Sequence, residues 1–168
     1  MHPQTTGKTF SNINLLLRFA RYGGLWLFML WAISCAKPVQ HDENLAAKRA
    51  LEFARVVLID KNLERGYDLL SDSGKRHVPI DKFKQTILSM NARGYPSRVT
   101  ATDYEPMPGE QAIYIFLRGQ NVDEQVQYRI TLEGTAAAGY KVLKIDQGSG
   151  FPSLSNQKHK FETTWSAP

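Results

Sequence analysis

The stretch Gln111-Ala112-Ile113-Tyr114-Ile115-Phe116-Leu117-Arg118 decides the fold. In an extended chain successive side chains point to opposite faces. Ala112, Tyr114 and Phe116 therefore share one side, and Ile113, Ile115 and Leu117 share the other. Both sides are apolar, so the spacing predicts a central strand covered twice. Downstream, Glu124 to Glu133 alternates cleanly. Val126, Tyr128, Ile130 and Leu132 fall inward, and Gln125, Gln127, Arg129, Thr131 and Glu133 fall outward. Gly119 to Asp123 turns the chain between these two strands. Gly134 to Gly139 forms the next hairpin loop, and Tyr140 to Asp146 reads as a last strand. Upstream, Val99 to Tyr104 is a short strand that ends in the turn Pro106-Met107-Pro108-Gly109-Glu110. Connections this short force antiparallel neighbours. The expectation is a four-stranded meander.

Before Val99 the period changes from strand to helix. Ala47, Ala50, Leu51, Ala54, Val57 and Leu58 recur at helical spacing and predict an amphipathic helix over Asn44–Asp60, capped by Asp42 or Asn44. Leu63–Leu70 predicts a short second helix and Ser71–Lys75 a loop. Asp81–Ala92 predicts a third helix, with Phe83, Ile87 and Met90 on its stripe, Asp81 as N-cap and Gly94 closing it. Helices first and strands second argue for an α+β domain over residues 44–147. Its N-terminal helices are expected to pack on one face of a curved four-stranded antiparallel sheet. Residues 148–168 are rich in Ser, Gly, Pro and Lys and read as a disordered tail, although Phe151, Phe161 and Trp165 offer it something to dock.

The N-terminal part carries a different message. Lys8, Arg18 and Arg21 precede an apolar run, and no acidic residue occurs before Asp42. Trp26-Leu27-Phe28-Met29-Leu30-Trp31-Ala32-Ile33-Ser34-Cys35 ends in a small residue and the only cysteine of the chain. A basic start, an apolar middle and a small-residue cleavage site make an export signal. Arg18 and Arg21 interrupt any longer apolar span, which argues against an uncleaved transmembrane helix. Ala32-Ile33-Ser34-Cys35 resembles the lipobox of bacterial lipoproteins, with Ala32 where Leu is commonest. That resemblance implies a signal peptide over residues 1–34, diacylglyceryl transfer to the Cys35 thiol, cleavage before Cys35 and acylation of the new amino terminus. Two or three acyl chains hold a domain on a bilayer where one does not, because each buried CH₂ contributes about 0.8 kcal/mol. Residues 35–43 would then be the lipidated cysteine and a tether too polar to pack. Ala36, rather than Asp, points to the outer membrane on its periplasmic side if the host has two membranes.

Charge and cysteine usage narrow the classes. The 168-residue chain has a formal charge of +5, but three of its basic residues lie in the signal, so the remaining domain is only mildly basic. With its charges scattered, nucleic acid is not an expected partner. A single cysteine excludes an intramolecular disulfide. No H-E-x-x-H, Cys/His cluster, G-x-S-x-G or glycine-rich phosphate loop occurs, so no metal, cofactor or catalytic set is expected.

Leu58-Ile59-Asp60-Lys61-Asn62, Tyr67-Asp68-Leu69-Leu70-Ser71 and Tyr140-Lys141-Val142-Leu143-Lys144-Ile145, with the order of helices and strands, resemble the nuclear-transport-factor-2-like (cystatin-like α+β) superfamily. The resemblance implies a curved sheet wrapped around the first helix, leaving a cone-shaped pocket. Some members are isomerases, cyclases or dehydratases; others bind, scaffold or dimerise. None of the enzymes' catalytic positions maps onto this chain, and fold alone does not give function.

The best acid–base pair on offer is His77 with Asp60: a loop imidazole that a helix-end carboxylate could orient. Nothing in the spacing brings them together, and the simpler reading is a solvated loop histidine and a helix-terminal charge. Tyr67, Tyr114 and Tyr128 could line the cone and suit an apolar or glycan-like ligand. As plain core and cross-strand residues they need no ligand. Arg118 and Arg129 could face an anion, or water. The leading expectation is a lipid-anchored envelope protein that binds an envelope partner protein or a small ligand. The alternatives are a small isomerase or hydro-lyase and a structural dimerisation module.

Overall fold

The computed structural model describes residues 39–121 and 124–167. The expected signal peptide and Cys35 lie outside the described residues. Within them the fold is α+β: a few helices precede an open antiparallel sheet.

Helix α1 spans Glu43–Ala54. The Asp42 carboxylate accepts the Leu45 amide at 2.8 Å and so satisfies one of the donors that a helix start leaves over. Ala46, Ala47, Ala50, Leu51, Phe53 and Ala54 are buried, and α1 comes against all five strands. The helix was expected to run regularly to Asp60. Instead Arg55–Ile59 widens into a π-helical turn, in which the Asp60 amide donates to the Arg55 carbonyl, five residues back, at 2.8 Å. The composition explains the difference. Val56, Val57 and Leu58 are consecutive and all buried. A regular helix spreads three successive side chains by about 100° each, and the wider turn narrows that arc.

Helix α2, Leu63–Asp68, is capped by Asn62, whose side-chain oxygen accepts the Arg65 amide at 3.0 Å. Its buried Gly66 tolerates the helix interior for a packing reason: a Cβ there would run into the Val57 side chain. Helix α3, Asp72–His77, forms where a loop was expected. Ser71 makes it possible. Its hydroxyl accepts the Gly74 amide at 3.0 Å, and its own amide donates to the Val142 carbonyl at 2.7 Å. Helix α4, Ile80–Met90, starts at Pro79 rather than Asp81 and buries Phe83 and Ile87. Proline is well placed at a helix start, where its missing N–H goes unmissed. Gly94 takes φ +127° in the turns that follow.

The strands are β1 Arg98–Pro106, β2 Ala112–Gln120, β3 Gln125–Thr135, β4 Gly139–Gly148 and β5 His159–Ala167, in the order β4-β3-β2-β1-β5. The first four form the expected meander. The fifth lies inside the segment read as a disordered tail and pairs antiparallel with β1. It escaped the sequence reading because it is an edge strand with few buried positions and a broken register. Ala101 faces Trp165 while Asp103 faces Lys160, so β5 carries extra residues between the two pairs.

The core lies between α1 and the sheet. Ile113, Ile115 and Leu117 of β2 pair with Leu132, Ile130 and Tyr128 of β3, and all six are at most 1 % exposed. Tyr128 donates its hydroxyl hydrogen to Asn91 Oδ1 at 2.9 Å, and Asn91 is itself buried. Tyr128→Phe leaves that carbonyl oxygen without its partner. It should cost about 1–2 kcal/mol in a urea titration with an unchanged slope.

Candidate functional site

The register sorts the sequence-predicted residues by sheet face. Tyr114 pairs with Thr131, whereas Tyr128 pairs with Leu117, an odd number of residues away from Tyr114. The two tyrosines therefore lie on opposite faces. Tyr128 belongs to the core on the α1 side, where burial, helped by the nearby Tyr95 and Glu124, pushes its phenol up to about 12. Tyr67 is half-buried on α2, with its ring 5.7 Å from Phe83 and its hydroxyl 3.4 Å from the Lys75 carbonyl. The three do not converge on one pocket. The expected pair is not assembled either. Asp60 faces Arg55 at 3.6 Å, and His77 Nδ1 lies 2.7 Å from the Ser73 carbonyl of its own helix. Both residues are exposed. Phe53, Leu58, Tyr128 and Ile130 are all fully buried in the core between α1 and the sheet.

Tyr114 belongs to the other face, and there the structure builds something that the sequence did not announce. Glu105, Tyr114 and Thr131 form one row across β1, β2 and β3; Asp103, Phe116, Arg129 and Asp146 form the next. Residues 149–158 leave β4 at one end of the sheet, cross this face as a strap and enter β5 at the other end. The Arg129 guanidinium lies between two rings, 5.0 Å from the Tyr114 centroid and 4.9 Å from that of Phe151 on the strap, and bonds Asp146 Oδ2 at 2.9 Å. Lys158 sits 3.9 Å over the Phe116 ring and donates to the Phe151 carbonyl at 3.1 Å. Arg118, by contrast, is exposed.

The strap is latched by Glu105, which is 0 % exposed. One carboxylate oxygen accepts the Ser153 hydroxyl at 2.9 Å, the Leu154 amide at 2.8 Å, and the Ser155 amide and hydroxyl, each at 2.6 Å. Burial pushes this carboxyl up, but the bonds from Ser155, Ser153 and Leu154 outweigh it and hold it below the usual carboxylate range. A buried charge is tolerable when donors replace its water. The signals legible in hindsight are a Glu set within a strand just before Pro106, and a run of short donors, Ser153-Leu154-Ser155-Asn156, that can fold around an anion.

The tether, expected to be too polar to pack, is seated at its C-terminal end. The Asp42 amide donates to the Tyr140 hydroxyl at 2.9 Å, and the His41 ring stacks on Tyr140 with Nδ1 3.3 Å from the same oxygen. Aromatic area lets a polar residue dock: the imidazole finds a ring as well as a hydroxyl. Burial, working against the Asp42 amide, raises the Tyr140 phenol. Beside it, Arg49, Glu52, Phe53, Leu69, Tyr140 and Lys141 border a shallow depression of about 330 Å³ between α1 and the β3–β4 hairpin. No three His, Cys, Asp or Glu side chains gather into a metal-binding group among the described residues. Among the same residues no helix is long and apolar enough to cross a membrane. No family model, curated protein or solved structure matches the chain.

Proposed function

We propose that this chain is a lipid-anchored cell-envelope protein, on the periplasmic side of the outer membrane if the host has two membranes, and that its domain binds an envelope partner or small ligand without transforming it. The observation that carries the reading is the stretch Trp26–Cys35, an apolar run closed by Ser34 and the only thiol of the chain. The depression beside Tyr140, bordered by Arg49, Glu52 and Lys141, combines mixed charge with an aromatic wall. The domain fold is read as cystatin-like, with the sheet wrapped on α1.

Cys35→Ala tests the anchor. The substituted chain should take up no label from radioactive fatty acid and should accumulate as a larger precursor. Unchanged labelling and mobility would overturn the lipoprotein reading. Turnover of any substrate that disappears on Asp60→Asn or His77→Gln would overturn the non-catalytic part.

A further inference from the structure

The irregularity in β1 opens a recess on the sheet face away from α1. Thr102 pairs with neither neighbouring strand. On β2, Ala101 faces Leu117 and Asp103 faces the adjacent Phe116; on β5, Ala101 faces Trp165 and Asp103 faces Lys160. A bulge breaks the ladder and re-aims the side chains beside it. The Thr102 hydroxyl donates to the Phe116 carbonyl at 3.3 Å, and beside it lies a recess of about 80 Å³ walled by Asp103, Phe116, Arg118, Gln127 and Lys158. A water molecule takes about 30 Å³ in the liquid, so the recess suits a compact ion rather than a ring.

Its walls are rich in donors. Arg118 and Gln127 stand opposite each other across β2 and β3, and both are exposed. Among the described residues the Arg118 guanidinium enters no ion pair. The strap carries Lys158 to the same place, 3.9 Å over the Phe116 ring. Its bond to the Phe151 carbonyl at 3.1 Å leaves ammonium hydrogens to spare. Asp103 is the carboxylate of the recess. Asp146, in the same row, is taken by Arg129 at 2.9 Å and Lys144 at 3.2 Å, and the exposed Lys160 and Glu162 of β5 offset each other. Two cations and an amide call for an oxyanion. The carboxylate among them selects which one. It accepts hydrogen bonds and donates none, so it repels an oxyanion that has lost every proton and bonds one that has kept a hydrogen. At neutral pH inorganic phosphate keeps one. Sulfate does not, and a phosphate monoester, with a second pKa of about 6, mostly does not.

We infer that this recess binds inorganic phosphate as hydrogen phosphate, with Arg118 and Lys158 on its charged oxygens and Asp103 accepting its hydrogen. The site shares no residue with the depression beside Tyr140 and needs no lipid anchor. The full chain, produced with its own signal and purified in mild detergent, is titrated calorimetrically at neutral pH with sodium phosphate, sodium sulfate and glycerol 3-phosphate. Phosphate should bind, and the other two should bind about tenfold more weakly, because each leaves the Asp103 carboxylate facing a bare oxyanion. Arg118→Gln and Lys158→Gln should each weaken phosphate by about tenfold. Arg118 is exposed, so its replacement tests the site without disturbing the fold. Asp103→Asn supplies an amide that can donate, and should bring phosphate and sulfate to equal affinity. No phosphate binding at millimolar concentration would overturn the site. Phosphate binding unchanged in both cation variants would overturn its location in the recess. Sulfate or the monoester bound as tightly as phosphate by the wild type, or a preference for phosphate that survives Asp103→Asn, would overturn the selection by Asp103.

Discussion

Glu105→Ala should release the strap at 149–158 and cost the domain about 3 kcal/mol. Hydrogen bonds to a charged acceptor contribute about 1.5–3 kcal/mol each, and four of them end on one oxygen. The full sum is not expected, because the freed donors sit on a strap with exposed residues and can turn to water. Glu105→Gln keeps an oxygen in place without the charge and should lose about half as much. Amide exchange at Leu154 and Ser155 distinguishes local from global opening: both should lose protection in the Ala variant even in the absence of urea. The pH dependence has a definite sign. The folded carboxyl titrates below its unfolded value. Its contribution is therefore complete above the unfolded pKa and lost as pH falls through the folded one. Acid titration of the wild type should show this loss, and Glu105→Gln should lack it. An equal acid response in both chains would remove Glu105 from the account.

Phe53→Ala should be more damaging, at about 4 kcal/mol. Phe53 is 0 % exposed on α1, and its ring lies 6.3 Å from Phe83 of α4, which in turn meets Tyr67 of α2. Truncating a buried phenylalanine costs about 3–5 kcal/mol, part transfer and part cavity. The upper half is expected here because the surroundings cannot collapse. Gly66 leaves no side chain to shift towards the gap, and the alanines of α1 already set the helix close to the sheet. Chemical unfolding with an unchanged denaturant slope checks it. A loss below about 1.5 kcal/mol would mean that the three rings are not one packed unit.

The parts of this fold that alternate were legible. The four strands of the meander and their antiparallel order follow from Ile113 to Leu117 and Val126 to Leu132, where burial on each face writes itself into the sequence. Elements held by individual polar contacts were not. Helix α3 depends on the Ser71 hydroxyl and on a bond to Val142, residues far apart in sequence. The strap depends on one glutamate forty-eight residues before Ser153. The tyrosine site failed for a reason of parity. Tyr114 and Tyr128 sit on adjacent strands, as expected, but adjacency does not decide the face. The register does, and a shift of one residue would have reversed the outcome.

The position of β5 has a kinetic consequence. Val99 is joined to Ala167 across nearly the whole sheet-forming sequence, although they are neighbours in space. During synthesis all four strands of the meander exist before residues 159–167 do, so the outer edge of β1 is bare until then. That edge finds its partner only when residues 159–167 emerge. An unpaired strand edge is a template for another chain, so β5, in covering β1, leaves its own outer side as the sheet's edge.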